Sequence, residues 1–283
     1  MSKTIVVTGG TSGIGMHTAI GLAKQGHTVV VTGRSRERGE AGVAEIERAS
    51  GSEDVHLALG DLSRRSGIQQ LAEDLLERFE RIDVLINNAG YLAQSFERSE
   101  DGYEMDFAVN VVAPYRLTNA LLPALEASSS ARVLNVTGGS TMGKLVVDDL
   151  QREDVFVPLP TYSMTKRAME AMTLVHAQEL AQRGVYLNVV YPGAASTSMT
   201  ASMSSKSLPT LLRPAWPLLK WMVQRDDGGK SAANAARSSI WAAGAPEVEG
   251  AYGRYWDTKC KPASFTKQVL DPENQRRVMA LIG

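Results

Sequence analysis

A tyrosine and a lysine four residues apart, Tyr162 and Lys166, are the side chains with the clearest chemical meaning in this 283-residue chain. The surrounding sequence predicts a helix over residues 162–183, on which residues four apart lie on one face. An ammonium about 4 Å from the phenol would lower the tyrosine pKa by about three units from its usual value of about 10. The phenol would then exchange protons with a substrate near neutral pH, which is acid–base catalysis.

The same spacing occurs a second time, at Tyr255 and Lys259. The sequence there predicts a late strand from Tyr252 to Trp256, and four residues of extended chain span about 13 Å. At that distance the lysine would not perturb the phenol. We therefore assign the acid–base role to Tyr162 and not to Tyr255.

A glycine-rich turn follows the first predicted strand and opens a helix, Thr8-Gly9-Gly10-Thr11-Ser12-Gly13-Ile14-Gly15. Glycines let backbone N–H groups approach a pyrophosphate at a helix N-terminus, where the helix dipole favours an anion. The spacing differs from the general G-x-G-x-x-G form of dinucleotide sites. On its own, the turn also fits a purely structural role.

The end of the second predicted strand, Thr32-Gly33-Arg34, bears on which dinucleotide would bind. A site for NAD usually has an acid there for the ribose 2′-hydroxyl, whereas an arginine suits the 2′-phosphate of NADP. The first acid in this segment is Glu37. Because the planar guanidinium of Arg34 can bind phosphate through two hydrogen bonds, the sequence favours NADP(H), with a merely solvated arginine as the alternative.

Short apolar runs alternate with segments of helical period and would position these residues. The runs are rich in Val, Ile and Leu without polar alternation, as in strands covered on both faces. We expect one α/β domain over residues 1–283, a Rossmann-type doubly wound parallel sheet of about seven strands with helices on both faces and a substrate lid near residues 198–230. The first six predicted strands are Thr4–Thr8, Thr28–Thr32, Val55–Leu59, Val84–Asn87, Arg132–Thr137 and Val185–Tyr191, and the predicted helices cover residues 14–25, 36–49, 64–80, 101–127 and 162–183.

Composition narrows the class of protein further. With 30 basic and 31 acidic residues the net charge is -1, so no cationic excess exists to bind nucleic acid. A single cysteine, Cys260, excludes an internal disulfide framework, and four scattered histidines do not suggest a metal site. The N-terminus lacks the features of a signal peptide and no run suits a membrane span, so we expect a cytoplasmic protein.

Six motifs resemble those of the classical short-chain dehydrogenases/reductases, in the order of that family. They are Thr8-Gly9-x3-Gly13-x-Gly15, Asp61-Leu62, Asn87-Asn88-Ala89-Gly90, Asn110, Tyr162-x3-Lys166 and Pro192-Gly193-x3-Thr197. A closer likeness is to the retinol-dehydrogenase-like branch. It is carried by Arg34-x4-Gly39-Glu40, Asp101-Gly102-Tyr103-Glu104-Met105, Gly143-Lys144 with Asp148-Asp149-Leu150, and Glu249-Gly250 before Gly253-x-Tyr255.

The resemblance implies a role for each matching residue. Tyr162 would hold the proton at the substrate oxygen, and Lys166 would bind the nicotinamide ribose while lowering the tyrosine pKa. Asn110 would bend its helix around a water that passes protons to Lys166. Besides Tyr162 and Lys166, the implied cofactor contacts are Gly9, Ser12, Gly13, Ile14 and Gly15 at the pyrophosphate, Asp61 and Leu62 at the adenine, Asn88, Ala89 and Gly90 in the dinucleotide groove, and Pro192, Gly193 and Thr197 near the carboxamide.

One position departs from the family pattern. The family shows two serines after the Asn-x of the fifth strand, the second catalytic, where this chain reads Asn135-Val136-Thr137-Gly138-Gly139-Ser140-Thr141. Gly138 occupies the catalytic slot and has no hydroxyl. A shifted loop would make Ser140 the hydroxyl that polarises a carbonyl, with Thr137 and Thr141 behind it. Without such a donor, catalysis would be weaker by about 3–4 kcal/mol.

The lid and two helices carry apolar residues beyond what a core needs. In the lid they are Leu208, Leu211, Leu212, Trp216, Leu218, Leu219, Trp221 and Met222. They suit an apolar substrate, but packing of the lid on its own domain and contact with a membrane surface are alternatives. The helices carry Val111, Leu117, Leu121, Met169, Met172 and Leu174, and the resemblance implies a homo-oligomer with its interface there.

Together these features predict an NADP(H)-dependent oxidoreductase that interconverts an alcohol and a carbonyl on an apolar small molecule. Two alternatives keep the same residues. One is an NADP(H)-binding sensor or scaffold with weak or no catalysis, which only Gly138 favours. The other is a reductase of a C=C bond.

Overall fold

The central sheet has eight strands in the order β3-β2-β1-β4-β5-β6-β7-β8 in the computed structural model, which describes residues 2–138, 144–196, 198–223 and 230–283. Neighbouring strands are parallel except for the last pair, which is antiparallel. The prediction of a parallel Rossmann-type sheet is confirmed, with one more strand than expected. The strands are β1 Thr4–Val7, β2 Thr28–Gly33, β3 Val55–Leu59, β4 Val84–Asn87, β5 Ala131–Val136, β6 Val185–Val190, β7 Tyr255–Trp256 and β8 Pro262–Ala263.

Helices connect the strands and cover both faces of the sheet. The first three begin and end within two residues of the predicted bounds, whereas α7 begins four residues early, where Pro158 suits the first turn of a helix. The helices are α1 Gly13–Lys24, α2 Arg36–Ser50, α3 Arg65–Arg78, α4 Met105–Phe107, α5 Ala113–Ala120, α6 Leu122–Glu126, α7 Pro158–Ala181, α8 Ser198–Ala201, α9 Trp216–Val223, α10 Lys230–Gly244, α11 Lys267–Leu270 and α12 Pro272–Ile282.

Successive residues of each strand pack on opposite faces of the sheet. Val6 of β1 belongs to a core cluster with α3, α5 and α7. Its neighbours Ile5 and Val7 belong to a second cluster with α1, α2 and α10. All three side chains are fully buried. A strand covered on both faces has no solvent side, which is why its sequence lacks polar alternation.

The helix predicted over residues 101–127 is broken into three. It begins at Met105, and a π-helical turn, Ala108–Val112, lies between α4 and α5. A second break falls at Leu121, one residue before α6. Pro114 lies just after the π-helical turn and Pro123 just after the break at Leu121, and each lacks the N–H that an uninterrupted helix would need there. The π-helical turn includes Asn110, the residue at which a bend was expected.

The order of the strands reverses beside β1, which lies between β2 and β4. In open α/β sheets a crevice forms at such a point, outside the carboxyl ends of the strands. The glycine turn follows β1 there, and Asn88-Ala89-Gly90 follows β4. The topology therefore brings these two predicted motifs together from opposite halves of the sheet.

The apolar residues that suggested subunit contacts are packed inside the chain. Met169 and Met172 of α7 are fully buried in a cluster with Val269 of α11 and Val278 of α12. The partly buried Leu174 packs against the same cluster. The remaining members, all buried, are Val111, Leu117 and Leu121. These side chains therefore do not support an interface between copies.

The described part of the predicted lid consists mainly of short helices. It comprises α8, two turns of 3-10 helix at Ser205–Ser207 and Thr210–Ala215, and α9, while residues 224–229 lie outside the described residues. Leu208 is buried, whereas Leu211, Leu218 and Trp221 are largely exposed. Across the described parts of the chain, no helix combines the length and the apolar character needed to cross a bilayer.

Candidate active site

The glycine turn fits tightly against the end of β4. Gly9 and Gly13 have φ values of +62° and +55°, a conformation that favours glycine. A Cβ built on Gly15 would lie 2.4 Å from Nδ2 of Asn88, and that same amide donates to the Thr8 carbonyl at 2.9 Å. The backbone of the turn therefore approaches β4 at a distance that only glycine permits.

The N-terminus of α1 faces this turn and can hold an anion. Its first residue is Gly13, and its N-cap residue, Ser12, makes no side-chain capping hydrogen bond. The first N–H groups of a helix have no partner within the helix, so they and the dipole favour a phosphate. The glycine turn and this helix end together fit the pyrophosphate that the sequence predicted, with Ile14 in the first turn.

Arg34 and Asp61 lie at the ends of β2 and β3, which pair with each other. Arg34 is exposed. Burial opposes ionisation of Asp61, but hydrogen bonds from Ser63 and the positive charge of Arg34 outweigh it, so the pKa of Asp61 lies below its usual value. Leu62 packs half-buried against the core. Asp61, predicted beside the adenine, therefore lies near the residue predicted to select the 2′-phosphate.

Asn88-Ala89-Gly90 is held against the glycine turn and against α7. The N–H of Ala89 donates to Oγ1 of Thr8 at 3.0 Å. A Cβ built on Gly90 would lie 3.4 Å from Oδ1 of Asn110 and 3.6 Å from Nζ of Lys166. Gly90 therefore marks the place where the predicted groove meets the predicted acid–base residues.

Tyr162 and Lys166 lie one turn apart on α7, as the spacing predicted. Nζ of Lys166 lies 5.8 Å from the centre of the Tyr162 ring and donates to the Val136 carbonyl at 3.0 Å. Lys166 is buried, and this burial lowers its pKa to about 8, although the negative charges of Glu170 and Asp106 oppose the shift. A lysine that titrates near neutral pH can take part in proton transfer.

The predicted lowering of the Tyr162 pKa is not found. Burial raises the pKa of the phenol well above its usual value, and the negative charge of Asp106 adds to the shift. The expectation assumed an ammonium about 4 Å away in a partly hydrated site. Desolvation disfavours the charged phenolate, and Lys166, whose own pKa is lowered to about 8, is mostly neutral at the pH where a phenol ionises. The enclosed phenol therefore keeps its proton at neutral pH.

Gly138 lies directly against Tyr162. A Cβ on Gly138 would lie 3.0 Å from Cε1 and 3.2 Å from the hydroxyl oxygen of the tyrosine. Thr137, one of the hydroxyls considered in place of the family serine, donates instead to the buried carboxylate of Glu170 at 2.5 Å. Ser140 and Thr141 lie outside the described residues.

Asn110 joins the loop after β4 to α7. Its Oδ1 accepts from the N–H of Tyr91 at 2.9 Å, and its Nδ2 donates to the Tyr91 carbonyl and to Oγ1 of Thr165. Its side chain is fully buried and fully hydrogen-bonded. In this arrangement the side chain positions the wall of the groove.

Two buried acids flank Lys166, and the motifs did not indicate either of them. Glu170 follows the lysine by one turn of α7, and burial raises its pKa. Asp106 precedes Asn110 by four residues, and its Oδ1 accepts from the N–H of Ala93 at 2.7 Å. Burial, followed by repulsion from Glu104, raises the pKa of Asp106 to about 8. The sequence signal that could have found them is spacing: Asp106 lies four residues before Asn110, and Glu170 lies four residues after Lys166.

The segment after β6 closes the other side of the groove. Gly193 adopts a φ of +85° directly after Pro192, which makes the turn leaving the strand. Thr197, predicted at the carboxamide, lies outside the described residues. The methyl carbon of Met199 lies 3.4 Å from the Cβ position of Gly90, so the start of the lid reaches the groove.

A glycine turn at the point where the strand order reverses, with a tyrosine–lysine pair beside the end of β4, defines an α/β oxidoreductase site of the nicotinamide type. Residues 3–208 match the family model described as short chain dehydrogenase. The chain belongs to that family, and within it to the retinol-dehydrogenase-like branch, so it is an alcohol/carbonyl oxidoreductase that takes a nicotinamide cofactor.

Similar proteins match over nearly the whole chain. Retinol dehydrogenase 14 from Homo sapiens is 30% identical over 290 residues, which cover 98% of this chain and 84% of that protein. Polyprenol dehydrogenase from Mus musculus is 33% identical over 288 residues, covering 98% and 82%. The solved Pseudomonas aeruginosa RhlG/NADP active-site complex has a TM-score of 0.66 at 26% identity, covering 90% of this chain and 94% of that one.

Proposed function

We propose that the protein is an NADP(H)-dependent oxidoreductase that interconverts an alcohol and an aldehyde or ketone on an apolar small molecule. The observation that carries the proposal is the placement of Tyr162 and Lys166, one turn apart on α7, where Lys166 meets Gly90 at the carboxyl end of β4. In this proposal, residues 1–283 form one NADP-binding domain with a substrate lid near residues 198–230. A cytoplasmic location is part of the proposal.

The cofactor would be held by the glycine turn and the N-terminus of α1 at its pyrophosphate. Asn88, Ala89 and Gly90 would line its path towards Lys166, and Pro192 and Gly193 would shape the opposite wall. Such a cofactor supplies or accepts the hydride when bound. Arg34 is exposed at the end of β2, where a 2′-phosphate would lie, and it supports NADP(H) over NAD(H).

The proton step falls to the side chains of the chain itself. Because the pKa of Tyr162 is raised, its hydroxyl is protonated at neutral pH and can donate a proton to the oxygen of a carbonyl substrate. Lys166, with a pKa of about 8, lies next to the phenol and can take part in restoring that proton. In the direction of alcohol oxidation, the same phenol must first lose its proton, which a higher pH favours.

Relatives with apolar alcohols in their names support an apolar substrate. The similar proteins are a retinol dehydrogenase and a polyprenol dehydrogenase. In this chain, Met199 reaches the groove, and the buried Met203 and Leu208 follow it in the lid. A homo-oligomer stays a prediction of the resemblance, since the apolar residues first taken to indicate it pack within the chain.

Replacement of Tyr162 by phenylalanine tests the acid–base assignment. We expect Tyr162→Phe to abolish NADPH oxidation with retinal and other apolar aldehydes and ketones, while NADPH binding, measured by its fluorescence, stays close to wild type. Tyr255→Phe is the matched control, because Tyr255 has the same spacing to a lysine but lies in β7. Wild-type turnover in Tyr162→Phe would refute the assignment.

Gly138 favours a second candidate function. With a glycine against the phenol, the chain could bind NADP(H) and turn over weakly or not at all, as a sensor or scaffold. NADPH binding without turnover across the carbonyl panel would support that function, and a panel of activated C=C substrates then separates it from a C=C reductase.

A further inference from the structure

The described part of the lid exposes four large apolar side chains. Leu211 is 93% exposed, Leu218 and Trp221 are each 66% exposed, and Leu212 is 43% exposed. Isolated exposed leucines are common on proteins, but several within eleven residues of chain mark an interaction surface. We call this patch the lid surface and define it by Leu211, Leu212, Leu218 and Trp221 with the neighbouring cations Arg213 and Lys220.

Packing on its own domain accounts for only one side of α9. Trp216 and Leu219 are half-buried, whereas Leu218 and Trp221, three residues apart on another face, are largely exposed. A helix that is apolar on all sides is normally buried in a large core or in lipid. The described residues half-bury the side of α9 that carries Trp216 and Leu219 and leave the side that carries Leu218 and Trp221 largely exposed.

The charge of the lid identifies what would cover that outer side. Residues 198–223 contain three cations, Lys206, Arg213 and Lys220, and no acid, in a chain whose net charge is -1. All three cations are exposed. In a two-fold interface the same surface meets itself, so a second copy would bring like charges together. An anionic lipid surface complements both the cations and the apolar side chains.

We propose that the lid surface docks on anionic membranes, with Leu211, Leu218 and Trp221 inserted at the boundary of headgroups and acyl chains. Arg213 and Lys220 then lie at the level of the headgroups. Tryptophan suits this depth because its ring is apolar and its N–H is a hydrogen-bond donor. The docking goes beyond the proposed oxidoreductase activity and needs neither cofactor nor substrate.

The lid surface is connected to the wall of the candidate active site. Oγ of Ser207 donates to Oε1 of Gln94, in the loop after β4, at 3.1 Å. Leu208, the next residue, is buried and anchors the lid from which Leu211 projects. A docked lid therefore places the loop after β4 close to the lipid, which would let an apolar substrate pass from membrane to site.

Flotation of the full chain with phosphatidylcholine vesicles, with and without phosphatidylserine, tests the docking. We expect binding to the vesicles that contain phosphatidylserine, weakened by salt. The double variant Leu211→Gln/Leu218→Gln should reduce the partition coefficient about tenfold or more, since two large apolar side chains no longer enter the lipid. Leu270→Gln is the matched control, because Leu270 is a 52% exposed leucine on α11, away from the lid. This variant should bind the vesicles as the wild type does.

A charge variant tests the second half of the proposal. Arg213→Gln/Lys220→Gln should remove most of the preference for phosphatidylserine, about fivefold for each cation. Thermal unfolding at the wild-type temperature shows that each variant is folded. Absence of vesicle binding, or unchanged binding of the double leucine variant, overturns the proposal. A concentration-dependent dimer in sedimentation that the leucine variant abolishes overturns it too, because the lid surface would then join two copies.

Discussion

Gly138 and Tyr162 are in such close contact that a side chain on Gly138 would press against the phenol. A Cβ on the glycine would lie 3.0 Å from Cε1 and 3.2 Å from the hydroxyl oxygen of the tyrosine. Both distances are tighter than ordinary packing, and Cγ of Lys166 would also lie 3.2 Å away, so even a methyl group must push the phenol or the lysine by a few tenths of an ångström. Glycine at this position therefore has two effects. It leaves the phenol where it lies, and it lacks the hydroxyl that the family serine would supply.

Substitutions at Gly138 separate these two effects. We expect Gly138→Ala to lower kcat for carbonyl reduction about tenfold, because a displaced ring donates its proton from the wrong place. Gly138→Ser displaces the ring equally but adds a hydroxyl, so its kcat should exceed that of Gly138→Ala. Steady-state kinetics at saturating NADPH measures both, with NADPH binding as the control. A wild-type kcat in Gly138→Ala would contradict the close contact.

Arg34 should determine the choice between NADPH and NADH. In Arg34→Gln we expect the ratio of kcat/KM for NADPH to that for NADH to fall at least tenfold, because hydrogen bonds from a charged donor to phosphate contribute about 1.5–3 kcal/mol. Arg48→Gln, on the exposed end of α2 where Arg48 pairs with Glu45, is the control. An unchanged ratio in Arg34→Gln would place the 2′-phosphate elsewhere.

Gly15 should tolerate no side chain. A methyl group there would lie 2.4 Å from Nδ2 of Asn88 and 2.5 Å from the Gly9 carbonyl oxygen. We expect Gly15→Ala to lose about 1–3 kcal/mol of unfolding free energy and to bind NADPH at least tenfold more weakly. Denaturant unfolding and NADPH titration measure the two effects. Gly244→Ala is the control, since a Cβ at Gly244 meets nothing within 4 Å. Equal NADPH affinity in both variants would refute the cofactor role of the turn.

Asp106 should make stability depend on pH. Burial raises its pKa to about 8 in the folded chain, against about 3.9 in an unfolded one. The folded state keeps the proton that the unfolded state loses, so the stabilising contribution of Asp106 is full below about pH 4 and is lost as the pH rises through about 8. Asparagine matches the neutral acid in shape and cannot ionise.

The unfolding free energy of Asp106→Asn, relative to wild type, should therefore increase by about 3.6 kcal/mol between about pH 5 and about pH 8. Urea unfolding at the two pH values measures the difference. Asp148→Asn serves as the control, because the Asp148 side chain is 82% exposed. A difference between Asp106→Asn and wild type that does not change with pH would show that Asp106 is ionised throughout this range.

The strands could be predicted almost to the residue because their signal is local. Each of the first six is a short run of mostly apolar and largely buried residues, and β3 and β4 have the predicted bounds, whereas β7 is shorter than predicted and the exposed β8 was not predicted. The helix from Met105 to Glu126 was harder, since its breaks follow from two prolines and from the π-helical turn at Asn110. The motifs also located Tyr162, Lys166 and the glycine turn. Their spacing is local, because the tyrosine and lysine share one helix and the glycines follow the end of one strand.

What the local pattern did not contain was the environment of these residues. Asp106 lies beside Lys166 only because α4 and α7 pack together, and Glu170, one turn from the lysine on α7, is buried only because other segments cover that helix. The direction of the Tyr162 pKa shift depends on how far burial excludes water from the phenol, and burial is set by contacts among distant segments. Met169 and Met172, whose exposure the sequence suggested, are covered by α11 and α12 almost a hundred residues further along.

The sequence by itself determined the fold class, the family and the identities of the side chains at the groove, because these depend on local apolar pattern and on motif spacing. The tertiary structure alone decided that Tyr162 is protonated at neutral pH, that Gly138 touches it, that α7 is covered from within, and that the lid has an uncovered apolar side. These four features depend on which surfaces pack together and exclude water. That is a property of the whole folded chain, and no single segment of the sequence contains it.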